Sequence, residues 1–190
     1  MTNQTIGFAI SGSFCTFRKV IPQIKLLAES GYDVLPIMSH TAYTTDTRFG
    51  KAADFVSEIS DICNHDIIHT IYDAEPIGPK KLLDALIIAP CTGNTIAKLA
   101  NGITDTSVTM AAKAHLRNQH PLIIAPSTND GLGINAKNIG ALHAIKNIYF
   151  VPYGQDDADK KENSLVADMS KIPDTLALAL QKKQLQPLLI

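Results

Sequence analysis

The chain has 190 residues, 45% hydrophobic and 18% charged, a composition that suits one globular domain with a continuous core. A formal net charge of -1 and the lack of a Lys/Arg run argue against nucleic acid as a partner. The apolar runs are shorter than the ~20 residues that cross a bilayer, and three widely spaced cysteines do not suggest a disulfide framework. We therefore expect a cytoplasmic protein that binds neither nucleic acid nor membrane.

Apolar runs typical of strands alternate along the chain with segments of helical periodicity. The predicted strands are 5–10, 33–38, 85–89, 121–125 and 148–151. The predicted helices are 17–30, 51–63, 93–102, 107–116, one that ends near 146, and 173–182. Pro22 must lie in the first turn of its helix or kink it, because proline has no N–H to donate. The pattern predicts a short strand and a proline-rich loop over 64–81, and a polar, solvated loop over 153–164.

Alternating strands and helices indicate a parallel sheet covered by helices on both faces. The predicted fold class is α/β: a single doubly wound domain over 1–190, a Rossmann-like or flavodoxin-like three-layer sandwich. Its core is expected at about 5–154, with a C-terminal helix and tail at about 165–190. The apolar tail "QLQPLLI" either contacts a neighbouring subunit or packs back on its own domain.

Ligands of such folds bind beyond the carboxyl ends of the strands, so the loops that follow the strands hold the candidate site. Hydroxyls, amides and glycines dominate these loops, which suits a phosphate and a polar ring. The candidate cofactor-binding residues are Ser11, Gly12, Ser13, Ser39, Thr41, Pro90, Thr92, Asn94, Thr95 and Ser127. Asp130 and His40 also follow strands and are the acid–base candidates.

Two common nucleotide-binding motifs are missing. The glycines Gly7 and Gly12 do not have the spacing of a dinucleotide fingerprint, and the second strand ends in Ser39 rather than in an acidic residue that could hold a ribose. No P-loop is present either. A mononucleotide phosphate held by Ser13, Ser39, backbone N–H groups and a helix N-terminus agrees with these residues.

A family resemblance is carried by four segments, "SGSF", "APCTGNTIAKLANGITD", "APSTN" and "NIGALHAIKNIYFVPYG". They resemble the FMN-binding flavoproteins that include the phosphopantothenoylcysteine decarboxylases and the flavin prenyltransferases, over 6–154. The resemblance implies FMN between subunits of a homo-oligomer, a trimer or dodecamer, with its phosphate near 11–13 and Ser39 and its ring by 90–95. It gives Asn94 a ring or substrate contact and Asn129 a substrate carboxylate, which makes both candidate catalytic residues.

The sequence also departs from the decarboxylases. Pro76 stands where they carry a histidine, and proline cannot transfer a proton; Leu132 stands where they have methionine. Further segments, among them "TRFG", "AEPIGPK" and "KQLQP", are similar to flavoprotein-like B-type subunits of a two-subunit synthase in spore-forming bacteria. That resemblance implies oxidation of a dihydro- or hydroxy-tetrahydropyridine dicarboxylate in the mother cell during sporulation, with NAD(P) supplied through an A-type partner subunit. The alternatives are an FMN-dependent decarboxylase and a non-catalytic supporting subunit.

Several other residues have both a functional and a plainer interpretation. His65 and His69 are spaced four apart, but an Asp replaces the Glu of a zinc-protease helix, so no metal site is predicted. Cys91 is either a nucleophile or a packing residue, and packing is favoured because no base is evident nearby. His115 and His143 are expected to be packing histidines, and Lys98 a surface or subunit-contact residue. Arg48 and Arg117 are candidate cations for substrate carboxylates.

Overall fold

A computed structural model describes residues 4–190 and contains seven strands and eight α-helices in that range. The strands are β1 (Thr5–Ile10), β2 (Asp33–Met38), β3 (Ala85–Cys91), β4 (Leu122–Thr128), β5 (Ile148–Phe150), β6 (Tyr153–Asp157) and β7 (Lys161–Ala167). The helices are α1 (Phe17–Glu29), α2 (His40–Thr44), α3 (Ala52–Cys63), α4 (Ile71–Ala74), α5 (Gly93–Ala100), α6 (Ser107–Leu116), α7 (Ala136–His143) and α8 (Ile172–Ala179). The α/β three-layer sandwich predicted from the alternation is confirmed.

The first five strands form a parallel sheet in the order β2-β1-β3-β4-β5, which is the flavodoxin-like order. The strand order reverses between β1 and β3, so a crevice opens beyond their carboxyl ends. β3 is buried along its whole length because helices cover both faces of the sheet. One hydrophobic core extends from Ile6 to Ala179.

The segment 153–164, predicted as a solvated loop, instead begins an antiparallel hairpin made of β6 and β7. The hairpin joins the sheet where Ser127 and Thr128, at the end of β4, pair with Val166 and Leu165. β5 occupies the same edge of β4 further back, opposite residues 122–124. The sheet is therefore mixed rather than wholly parallel. The charged residues misled the prediction because they cluster near the exposed hairpin tip, whereas Leu165 is buried.

Two local details are decided by the structure. Pro22 lies in the second turn of α1, which excludes the first-turn alternative, and it is on the exposed side of the helix, where water can bond the carbonyl that its missing N–H leaves free. In 64–81 the expected strand is reduced to one bridge between Ile68 and Ile37, and the loop contains the short helix α4.

The C-terminal tail packs back on its own chain, which was one of the two predicted alternatives. The Gln184 side chain bonds both backbone groups of Phe150: the Phe150 N–H donates to Oε1 at 2.8 Å, and Nε2 donates to the carbonyl at 2.7 Å. Further on, the tail runs beside β6, with Tyr153 N–H donating to the Leu188 carbonyl at 3.0 Å. Within residues 4–190 the longest helix has 13 residues, and no helix combines the length and apolar character needed to cross a membrane.

Candidate functional site

A cavity of about 690 Å³ lies beyond the carboxyl ends of β1, β3 and β4. Its volume is typical of small-molecule sites. The start of α1 and the loops after β3 and β4 form its base, and β7 of the hairpin forms one wall. Seven of the predicted site residues line it: Gly12, Ser13, Thr92, Asn94, Ser127, Asn129 and Asp130.

Three hydroxyl groups form a closed triangle at the base of the cavity. Ser127 Oγ lies 2.9 Å from Ser13 Oγ and 2.9 Å from Thr16 Oγ1, and the last two oxygens are 3.2 Å apart. Each hydroxyl hydrogen can rotate, so the triangle can redirect its donors toward an anion without moving the backbone. Ser127 and Thr16 are buried, and burial holds their side chains in place.

Ser11 and Pro90 join the loops after β1 and β3 and do not line the cavity. Ser11 Oγ donates to the Pro90 carbonyl at 2.8 Å and accepts from the Thr92 N–H at 2.9 Å. Thr92 in turn caps α5, because its hydroxyl accepts from the Thr95 N–H at 3.3 Å. Thr95 is buried behind this cap. These hydrogen bonds fix the loop after β3, which places Thr92 and Asn94 at the cavity.

The loop after β4 is held by Asp130. One carboxylate oxygen accepts from the Thr128 hydroxyl, and the other accepts from Asn135 Nδ2 at 2.8 Å. Asn135 continues the network, since its Oδ1 accepts from Asn138 Nδ2 at 2.7 Å. Gly93 rests directly on this network: a Cβ there would lie 2.6 Å from Asp130 Oδ1 and 2.7 Å from Asn135 Nδ2. The N-terminus of α5 can approach the loop only because residue 93 has no side chain.

The predicted site residues immediately after β2, Ser39, His40 and Thr41, lie outside this cavity. Ser39 caps α2 by accepting from the Ala42 N–H at 3.3 Å, and His40 and Thr41 are exposed on that helix. Thr41 still lies beside the loop after β1, because a Cβ on Gly12 would be 3.5 Å from its Cγ2 atom. The candidate residues thus fall into a main group around the cavity and a second group across the loop after β1.

Cys91, His115 and His143 occupy packing positions in the structure. Cys91 is fully buried, and burial raises the pKa of its thiol, which argues against a nucleophile. His115 Nε2 donates to the Pro121 carbonyl at 3.0 Å, and burial lowers its pKa to about 4. His143 bonds Tyr153 Oη at 2.9 Å beneath the hairpin. Within 4–190 no three His, Cys, Asp or Glu side chains form a metal-holding group.

The two candidate cations for substrate carboxylates lie at different ends of the sheet. Arg48 lines the cavity, whereas Arg117 ends α6 at the opposite end of the sheet, beside Gly78. Lys98 makes an ion pair with Asp105 at 2.8 Å, and that hydrogen bond lowers the pKa of Asp105.

Sequence reasoning missed the cavity residues contributed by the segment 14–19, by the loop after α2 and by the hairpin. They are Phe14, Cys15, Thr16, Lys19, Phe49, Asp156, Lys161 and 164–166. The run Ser164 to Ala167 could have been recognised as a strand by its apolar alternation, but nothing local shows that it returns to the end of β4.

The fold and the site define an α/β protein with a flavodoxin-like sheet and a polar ligand cavity at its strand exits, and the family comparison identifies the class as flavoprotein. The Flavoprotein family model matches residues 1–181, so the chain belongs to that family. The dipicolinate synthase B subunit of Bacillus subtilis is 47% identical over all of this chain and 95% of its own length. The crystal structure of the dipicolinate synthase B subunit from Bacillus halodurans is 48% identical, with a TM-score of 0.91 over 98% of this chain and 96% of that one.

More distant structures share the fold alone. The FMN-dependent cysteine decarboxylase SpaF has a TM-score of 0.67 at 20% identity, over 93% of this chain and 97% of its own. The narrower resemblance in the sequence is therefore confirmed as a likeness to dipicolinate synthase B subunits, within a family that also has decarboxylase and prenyltransferase members.

Proposed function

We propose that this chain is the B subunit of a dipicolinate synthase and contributes to the oxidation of dihydrodipicolinate, or of its hydroxy-tetrahydro precursor, to dipicolinate. The observation that carries the proposal is the whole-chain identity of 47% to such a subunit. The cavity supports it, because amides, hydroxyls and cations meet there in a space suited to a small ring. The proposed setting is the mother-cell cytoplasm of a spore former.

The donor set of the cavity fits FMN, and we propose FMN as the cofactor. Ser13, Thr16 and Ser127 offer donors to a phosphate or ring oxygen, and Asn94 offers an amide to a ring carbonyl. Ser39, at the N-terminus of α2, remains a proposed phosphate contact across the loop after β1. When bound, FMN would supply a two-electron acceptor. We also propose a homo-oligomer that completes the flavin site.

Aromatisation of a dihydropyridine removes a hydride from one ring atom and a proton from another. The hydride needs an acceptor, which we assign to FMN or to NAD(P) held by an A subunit. The proton needs a base near the ring. Asp130 is favoured over His40 because it lines the cavity, and its oxygens retain lone pairs beyond those that accept from Thr128 and Asn135. Asn129 would orient a substrate carboxylate.

The decarboxylase alternative has weaker support. Pro76 lies in a 3-10 turn, Glu75–Ile77, and is not among the residues that line the cavity. A supporting subunit without chemistry of its own predicts that Asp130→Asn leaves turnover unchanged.

Reconstitution tests the proposed function. The chain is purified and mixed with the A subunit of the relative's synthase, with NAD(P) and the dihydro substrate, and dipicolinate is followed by its ultraviolet absorbance. We expect turnover only with both subunits, and at least a 100-fold lower rate for Asp130→Asn, as for removal of a general base. Asp174→Asn, at an exposed position of α8 outside the cavity, is the matched control. Equal rates for the A subunit alone and for the mixture would reject the proposal.

Flavin binding is tested separately by titrating the chain with FMN and measuring fluorescence quenching. Ser13→Ala and Ser39→Ala should each weaken binding by about 1 kcal/mol, the value of one hydrogen bond to a charged group in contact with water. Asn94→Ala should change the absorption spectrum of the bound flavin. Unaltered affinity and spectrum in all three variants would contradict this location for FMN.

A further inference from the structure

The turn between α2 and α3 contributes two residues to the cavity and is held by its own hydrogen bonds. Thr47 and Gly50 exchange two backbone hydrogen bonds, at 3.0 and 3.1 Å, and the Thr47 hydroxyl accepts from the Phe49 N–H at 3.2 Å. Gly50 lies against Phe55, where a Cβ would be 2.8 Å from the ring. Arg48 and Phe49 thus occupy the centre of a short turn whose ends are fixed.

Both central side chains of this turn line the cavity. The Arg48 guanidinium carbon lies 4.9 Å from the centroid of the Phe49 ring, a cation–π contact that orients the pair. Phe49 nevertheless remains 39% exposed. An aromatic face and a planar cation held side by side suit a ligand that is itself flat and anionic.

The charges in the cavity leave two cations without a carboxylate. The lining residues include Lys19, Arg48 and Lys161 as cations and Asp130 and Asp156 as anions. Lys161 is paired with Asp156 at 2.5 Å, and Asp130 is held by neutral donors. In the described part of the chain, 4–190, no carboxylate lies within 4.0 Å of the Lys19 or Arg48 charge.

We propose that Phe49, Arg48 and Lys19 form a subsite for a planar dicarboxylate. The Phe49 ring packs on the face of the ligand ring, and Arg48 and Lys19 each bind one carboxylate. The identity of the ligand as a pyridine dicarboxylate rests on the proposed function, whereas the preference for two carboxylates rests on the two uncompensated charges. The subsite distinguishes a diacid from a monoacid because only a diacid engages both cations.

The test is calorimetric titration of the full chain, with and without FMN, in buffer stripped of metal ions by resin. Pyridine-2,6-dicarboxylate is compared with pyridine-2-carboxylate. We expect wild type to prefer the diacid by about 10-fold, and Arg48→Gln and Lys19→Gln each to remove that preference. Phe49→Ala should weaken both ligands equally. Arg117→Gln and Lys25→Gln, which alter an arginine and an α1 lysine outside the cavity, should bind as wild type.

Three results would overturn the subsite: no diacid binding with or without FMN, retention of the preference in Arg48→Gln and Lys19→Gln, or loss of FMN affinity in these variants with diacid affinity intact. The reconstitution assay separates this inference from the proposed function. Diacid preference without turnover rejects the synthase and keeps the subsite, and turnover without the preference rejects the subsite alone.

Discussion

Replacing Gly93 by alanine tests whether the N-terminus of α5 must touch the loop after β4. In an ordinary helix the change stabilises, because alanine has the higher helix propensity by up to about 1 kcal/mol. Here the added Cβ would crowd three polar atoms, those of Thr128, Asp130 and Asn135, the latter two at 2.6 and 2.7 Å. Ordinary contacts begin at 3.4 Å, and Asn135 is buried in its own hydrogen-bond network. The network must therefore shift.

Overpacking of this kind costs about 1–3 kcal/mol, which outweighs the gain in propensity. We expect Gly93→Ala to lower the free energy of unfolding by that amount in urea denaturation. The transition is followed by far-ultraviolet circular dichroism because the chain has no tryptophan. Gly140→Ala in α7 is the matched control, since nothing lies within 4 Å of its added Cβ, and it should gain about 0.5–1 kcal/mol. If Gly93→Ala gains as much as the control, the crowding argument fails.

Three further predictions concern burial and edge pairing. In the native protein an alkylating reagent should modify Cys15 alone, because Cys15 is exposed, whereas burial raises the thiol pKa of Cys91 and raises that of Cys63 to about 12. Intact-mass spectrometry should show one adduct before unfolding and three after. Burial lowers the pKa of His115 to about 4, so between pH 6.5 and pH 4 the unfolded chain binds a proton that the folded chain does not, and the free energy of unfolding should fall by up to about 3 kcal/mol. If the free energy of unfolding depends on pH in the same way in His115→Gln, this cause is excluded. Gln184→Ala removes both hydrogen bonds to the β5 backbone and should cost about 1–3 kcal/mol, with faster amide exchange in β5 by mass spectrometry; unaltered exchange would show that the tail does not hold this edge.

The alternating elements, the three-layer architecture and the loops at the ends of the strands that form part of the cavity are all predictable from the sequence. These features are encoded locally. The apolar run of β3 followed by the Thr92 cap and the α5 pattern specifies strand, loop and helix, and parallel strands bring such loops to one edge. Seven of the residues predicted from the sequence alone therefore line the cavity.

Which strand ends meet, and which segment forms the remaining wall of the cavity, depends on contacts between residues that are far apart in the chain. Ser39 and His40 follow a strand as Asn94 does, yet they lie on the far side of the loop after β1. The hairpin wall depends on the pairing of Ser127 with Val166, and the crowding at Gly93 depends on where the loop after β4 comes to rest. The hydrophobic pattern of a segment reports its own secondary structure, because each segment must satisfy its local geometry. It does not report which distant segment it will contact.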